Sequence, residues 1–500
     1  MRLTIRIAFL FQVFLAIGVL IDSANLQAKA FIQPPSAQAP NAQAGNRAPQ
    51  QQPSSELTAE QRQQLTQRLA KEMDDLIPGE YADQSKQKQK LNEAANFFID
   101  LDEKNLRSSL SELASMDPNV PPQELLLAGL AYATNNLTRG KAILEQSAVQ
   151  HREHPGFPLA FARLAILQAR YFDAAALAEK TQSLNRSSRL SAEAKSFYEL
   201  EVLDVLTTVE LNRNELPRAQ QYVQKWEQIA PNNDKMLLSA AEINFLQNKA
   251  DKAVSYLNRR SKKVADELPT EGIIAKWYLA NGDTDQYNQW IRQAFEKHKS
   301  NGFIQIEYAA WLLRQEDFAR ALSAIKTFES DSGATAQSKL IKGRIAFSQQ
   351  QYANAEAIFA DLFQRQPNNL EHMYLYSLTL LENPDKQKQQ LGAQLARRNF
   401  QLNPTNQLTS SILGWAVYQT GNKKDGRQLL LRAAQTGSML PDTAFLVARM
   451  LIEEGEEAQA KITLNQYVKN PAIFVYRARA REILESLGSV DAELPGPSKN

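Results

Sequence analysis

The sequence predicts an all-α chain, an α-solenoid of about ten helix-turn-helix repeats. Three observations predict it: small residues recur at a step of 34 residues, apolar residues recur at helical spacing in the same stretch, and turn-forming residues precede each small residue at a constant distance. With Ala355 as a reference, the recurring positions are Gly140, Ala174, Ala219, Ala253, Tyr287, Ala321, Ala355, Gly392, Gly426 and Ala460. Their spacings are 34, 45, 34, 34, 34, 34, 37, 34 and 34. Nine of the ten are Ala or Gly, against about one residue in six along the chain, so composition does not explain the recurrence.

Taken in order, residues 1–30 read as a signal segment. Arg2 and Arg6 precede an apolar stretch from Ile7 to Ile21, and Ala28-Lys29-Ala30 matches a small-x-small cleavage site. Fifteen apolar residues fall short of the ~20 that a membrane span needs. The expectation is export to the periplasm or the extracellular space, with an uncleaved N-terminal anchor as the alternative. Residues 31–56 are rich in Gln, Pro and Ala and hold no large apolar residue after Ile32, which predicts a disordered linker. Over 57–119, Leu65, Leu69, Leu76 and Ile77 form one helical pattern stopped by Pro78-Gly79. Leu91–Phe98 and Leu106–Leu113 form a helix pair, with Ser109 as the small residue of a cap or degenerate repeat.

The regular array spans 120–471. Twelve residues before each reference position stand Ala128, Ala162, Thr207, Ala241, Ala275, Ala309, Gly343, Leu380, Gly414 and Ala448, eight of them Ala or Gly, as the opposing small position on the first helix requires. Five before, six of ten are Gly or Asn (Asn135, Asn214, Asn248, Gly282, Gly421, Gly455), residues that accept the left-handed conformation ending a helix. Four after, eight of ten are large and apolar, as core positions one turn on should be. The long spacings place eleven extra residues near 185–191 and three at Asn383-Pro384-Asp385. Residues 472–488 predict a last amphipathic helix capping the open end of the array, and 489–500 a disordered tail.

These columns resemble the tetratricopeptide repeat (TPR) family. Pro231, Pro367 and Pro404 sit at its late proline, Leu413-Gly414 with Tyr418 echoes its Leu-Gly and Tyr signature, and Phe318-Ala-Arg-Ala321 and Tyr352-Ala-Asn-Ala355 echo its aromatic-x-x-Ala core. The family's early Trp is missing from every copy. The resemblance implies a right-handed superhelix whose first helices line an inner face. It also implies a non-enzymatic scaffold binding a protein or an extended peptide there, or else a structural part of a cell-envelope or polysaccharide-export assembly.

On that implied face, eleven residues before each reference position, stand Gly129, Arg163, Thr208, Glu242, Lys276, Ala310, Arg344, Leu381, Trp415 and Arg449. Arg163, Glu242, Lys276, Arg344, Trp415 and Arg449 are the candidate binding residues, since cations and an aromatic ring can hold a peptide by charge-assisted bonds and stacking. A solvated helix face of ordinary mix is the alternative for each. Clamping members of the family carry a Lys/Asn pair four residues apart. The matching positions Leu125/Gly129, Leu159/Arg163 and Leu340/Arg344 lack it.

Other chemistry finds little support. The absence of cysteine excludes disulfides and thiolate metal sites. His151 and His154 match no metal-binding motif, and His298 and His372 are isolated. There is no phosphate loop or nucleophile elbow, so neither cofactor, metal nor catalysis is expected. Past residue 30 the chain carries 54 basic and 54 acidic residues. That balance disfavours nucleic acid as a partner.

Overall fold

The computed structural model describes residues 59–79, 84–117, 119–134, 136–261, 268–367, 369–435 and 439–488. The signal segment, the linker, Asn135 and the tail 489–500 lie outside them. Among the described residues there are 24 helices and no strand, and no helix is long and apolar enough to cross a membrane. Two compact units are formed, one ending at Thr270 and one beginning at Glu271.

The first unit opens with α1 (Ala59–Asp74), α2 (Gln84–Ile99) and α3 (Glu103–Met116). Helices α2 and α3 are a hairpin turned at Leu101, whose φ is 58°. Ser109 is buried there and donates to the Lys90 carbonyl at 3.3 Å. Leu69, Met73, Leu91, Leu110, Leu126 and Leu130 join α1, α2, α3 and α4 (Gln123–Ala133) in one core. Four hairpins follow: α4/α5 (Leu137–Ser147), α6 (Gly156–Leu167)/α7 (Tyr171–Ser187), α8 (Ala192–Asn212)/α9 (Leu216–Ile229) and α10 (Asp234–Leu246)/α11 (Ala250–Ser261).

The second unit holds six: α12 (Thr270–Ala280)/α13 (Thr284–Lys297), α14 (Gly302–Arg314)/α15 (Phe318–Ser332), α16 (Ala336–Ser348)/α17 (Tyr352–Arg365), α18 (Leu370–Leu381)/α19 (Lys386–Leu402), α20 (Gln407–Gln419)/α21 (Lys423–Gln435) and α22 (Pro441–Glu453)/α23 (Glu457–Val468). It ends with α24 (Arg477–Ser486).

All ten reference positions fall in second helices and are buried, as are the residues four after them. The close approach is tight. A Cβ on Gly343 would lie 2.5 Å from the Phe359 ring, and one on Gly426 would lie 2.5 Å from the Tyr418 backbone nitrogen. The turns take the left-handed conformation at Asn214, Asn248, Gly282, Gly421 and Gly455, and also at Ala169, Glu316 and Gln350, where neither Gly nor Asn stands. First helices start on side-chain caps such as Asn233, Asn301, Thr335, Asn369 and Asn406.

Both insertions leave a structural trace. The eleven residues lengthen helices: α7 has 17 residues and α8 has 21, joined by a short turn across which Asn185 of α7 donates to the Lys195 carbonyl of α8 at 2.7 Å. The three residues at 383–385 fall after α18, with Asp385 capping α19. This corrects one column. The small residue opposing Gly392 is Ser377, whose hydroxyl donates to the Gly392 carbonyl at 2.7 Å, and not Leu380. Counting twelve back from Gly392 crosses the insertion and stops three residues short.

Candidate functional site

The ten hairpins align their first helices in each unit, so side chains at equal positions form rows. Arg163, Lys276, Arg344 and Arg449 stand on first helices, and each of these four cations already has a carboxylate. In the first unit Arg163 pairs with Glu201 on the next hairpin. Glu201 also accepts from Lys235 at 2.9 Å, and Lys235 lies 3.6 Å from Asp204. Burial pushes the Glu201 carboxyl up, but Arg163 and Lys235 outweigh it and leave it below its ordinary value. Burial also pushes Asp204 up, and there it prevails over Lys235. Glu242 has a polar partner as well. Gly129 lies under the Leu76 side chain, which a Cβ would meet at 2.5 Å.

In the second unit Lys276 pairs with Glu307 at 3.0 Å and Arg344 with Glu371. Both partners stand on the next first helix, so these pairs fasten neighbouring hairpins. Trp415 does not offer a free ring: it is 1% exposed, and the Arg449 guanidinium lies 4.3 Å over its centroid. A tryptophan has too much apolar surface to stay in water when a neighbouring helix can cover it. Arg449 itself pairs with Glu382.

Glu382 organises a polar cluster in this unit. Its side chain is 6% exposed and accepts from Arg449, from Arg479 at 2.6 Å and from the Tyr476 hydroxyl at 2.8 Å. Burial raises its carboxyl, and the two guanidiniums with the Tyr476 bond outweigh burial and hold it below the ordinary range. Two of its three donors come from the segment 472–488. That segment was expected as one helix capping the array. It is helical only from Arg477, and it reaches far back along its own unit. Arg477 donates to the Arg314 carbonyl at 2.7 Å, Arg481 pairs with Glu316, and Gln350 donates to Glu482 at 3.4 Å. The Tyr476 ring stacks on Phe445 at 4.2 Å and meets Phe347 edge-on at 5.1 Å. Phe474, Val475 and Tyr476 are buried. Asp442 holds a carboxyl oxygen buried without a hydrogen-bond partner, and burial pushes the carboxyl up to about 7 despite Arg344.

Sequence reasoning missed Glu201, Glu382 and the segment 474–479. Glu382 carried one signal, an acid directly before the only three-residue insertion. The segment carried none, because contacts across 163 residues leave no periodic trace.

The histidines serve packing. His151 stacks on Phe157 at 5.2 Å, and His154 Nδ1 accepts from the Gly156 N–H at 3.2 Å. His298 bonds Glu271 at 3.0 Å, and His372 is buried in α18. No group of residues able to hold a metal ion exists among the described residues.

Paired helices of 34-residue period, closed on small residues, define an all-helical repeat solenoid. The solved structures it is similar to include a TPR protein from Parabacteroides merdae (12% identity, 51% of this chain and 99% of that one, TM-score 0.38), yeast Tom70 (10%, 81% and 96%, 0.34) and the human IFIT1 dimer (11%, 87% and 96%, 0.38). No family model matches the chain, and comparison with curated proteins finds no match.

Proposed function

We propose that this protein is an exported, non-enzymatic scaffold that binds segments of other proteins on its first-helix faces. One observation carries the reading. The first-helix face of the second unit already holds a peptide segment, residues 473–481, by ring stacking, backbone bonds and charged anchors. Those are the interactions by which extended peptides are recognised. Export rests on the basic and apolar pattern of residues 1–30, and it allows an envelope assembly as the setting of the partner.

Cross-linking in cells followed by identification of the joined peptides tests the reading. The expected result is one or a few recurrent proteins linked to first helices. Links confined to second helices, or none above background, would overturn it. Mass spectrometry of the isolated chain checks export: the mature N-terminus is expected at Phe31.

A further inference from the structure

A segment that only capped the array would need to touch only the last hairpin. Residues 473–482 instead touch hairpins that begin at α14, α16, α18 and α22. Their central anchor is oddly placed for a structural acid. Glu382 is the C-cap of α18, where the helix dipole opposes negative charge, and it is buried besides. An acid there is stable only when cations and hydroxyls are brought to it. Arg449 supplies one from the array, and the remaining two donors, Arg479 and Tyr476, come from the segment. The array alone therefore leaves Glu382 short of partners, next to the Phe445 and Phe347 rings that Tyr476 covers.

We propose that Phe474–Arg479 occupies, in cis, a recognition site for partner segments of the same chemistry: an aromatic, an aliphatic and a tyrosine, with arginine three positions after the tyrosine. Each element of the pattern has its receptor. The Tyr476 hydroxyl and Arg479 share the two Glu382 oxygens, the Tyr476 ring fills the place between Phe445 and Phe347, and the Val475 side chain is buried beside it. The first aromatic, Phe474, faces Phe445 edge-on at 6.3 Å. A partner binds by replacing the resident segment. That exchange is feasible because α24 has ten residues, too few to be stable as a free helix, and it hangs from α23 by a non-helical stretch containing Asn470-Pro471. The inference rests on the scaffold reading and names the partner chemistry of one of its faces.

The probe is a fluorescent peptide of residues 470–484, added to the full chain. Tyr476→Ala with Arg479→Ala unhooks the resident segment and leaves the receptor residues in place. The unhooked chain is expected to bind the peptide saturably and at least tenfold tighter than the wild type, and Glu382→Gln on that background to weaken binding tenfold or more. A folded, unhooked chain that binds no better than wild type overturns the proposal, and so does binding indifferent to Glu382→Gln or to scrambling the peptide. Should the unhooked chain unfold, hydrogen exchange on the wild type decides. Excess peptide must speed exchange at 474–481, and unchanged protection overturns the proposal. Peptide binding without any partner recovered by cross-linking would defeat the scaffold reading alone, whereas partners mapped to other faces with no peptide binding would defeat this inference alone.

Discussion

In the unit ending at Thr270, the first-helix charges neutralise one another: Arg163, Glu201, Lys235 and Asp204 form a chain of ion pairs across neighbouring hairpins. In the unit beginning at Glu271, the central acid Glu382 depends on a segment from the end of the fold. The hairpins are alike, so the repeat does not decide which solution is used. The difference lies in what each unit carries beside its repeats. The first has α1, whose trailing Leu76 covers Gly129 with an apolar side chain. The second has a basic, aromatic segment and an insertion that ends α18 on an acid. A face closed by its own ion pairs is finished. A face closed by a tethered segment is a binding event within one chain.

The largest expected loss at a fixed pH separates the two acids. Glu382→Gln leaves the half-buried Arg449 and Arg479 beside a neutral amide in place of a buried carboxylate, and losing one partner of such a pair costs about 3 kcal/mol. Glu201→Gln is expected to cost about 1–2 kcal/mol. Its partners reach water, since the Arg163 and Lys235 side chains are 35% and 51% exposed, and Lys235 keeps Asp204. Hydrogen exchange read within each unit checks the ranking. Equal losses would mean that the segment stabilises the second unit no more than surface pairs do.

Much of this was legible in the sequence, and the reason is physical. Wherever a requirement is local and repeats, it marks the sequence. Two helices cross closely most readily on small residues, so the reference column, Ala or Gly at nine of its ten positions, was readable. The left-handed turn was readable only where Gly or Asn relieves it, so Ala169, Glu316 and Gln350 were passed over. At Leu380 the ruler slipped because a period cannot say on which side of an insertion it lies. The binding row was the least legible part. Its residues were placed by period, but whether a cation is free depends on its neighbours. Arg163, Lys276, Arg344 and Arg449 are each matched by acids 27 to 67 residues away.

Acid and base should act on the units with opposite sign. His154 packs against Tyr198 and Phe157; burial, with His151 beside it, lowers its pKa from 6.5 to about 4. The folded unit therefore binds fewer protons than the unfolded chain between those values. Its contribution is complete above pH 6.5 and is lost as pH falls toward 4. Asp442, facing Arg344, Tyr374 and Arg477, is raised from 3.8 to about 7 by burial. Its contribution is complete below pH 3.8 and is lost as pH rises through 7. Each full shift corresponds to about 3–4 kcal/mol. In hydrogen exchange across pH 4–8, His154→Gln should flatten the acid loss in the first unit, and Asp442→Asn the loss toward high pH in the second. A matching response of both units to either substitution would break the comparison.

The smallest effect tests the turns. Ala169 and Gln350 both hold the left-handed conformation, with φ of 56° and 60°. A side chain there costs about 1 kcal/mol that glycine avoids, less the entropy glycine loses on folding. Ala169→Gly should therefore stabilise the first unit by roughly 0.5 kcal/mol, because the side chain removed is one methyl group. Gln350→Gly relieves the same strain but removes the amide that donates to Glu482 on the resident segment. Its net effect should be near zero or slightly destabilising, and the loss should appear as faster exchange within α24. If both substitutions stabilise equally, the Gln350 contact contributes nothing to holding the segment, and its anchorage rests on Glu382 and Phe445.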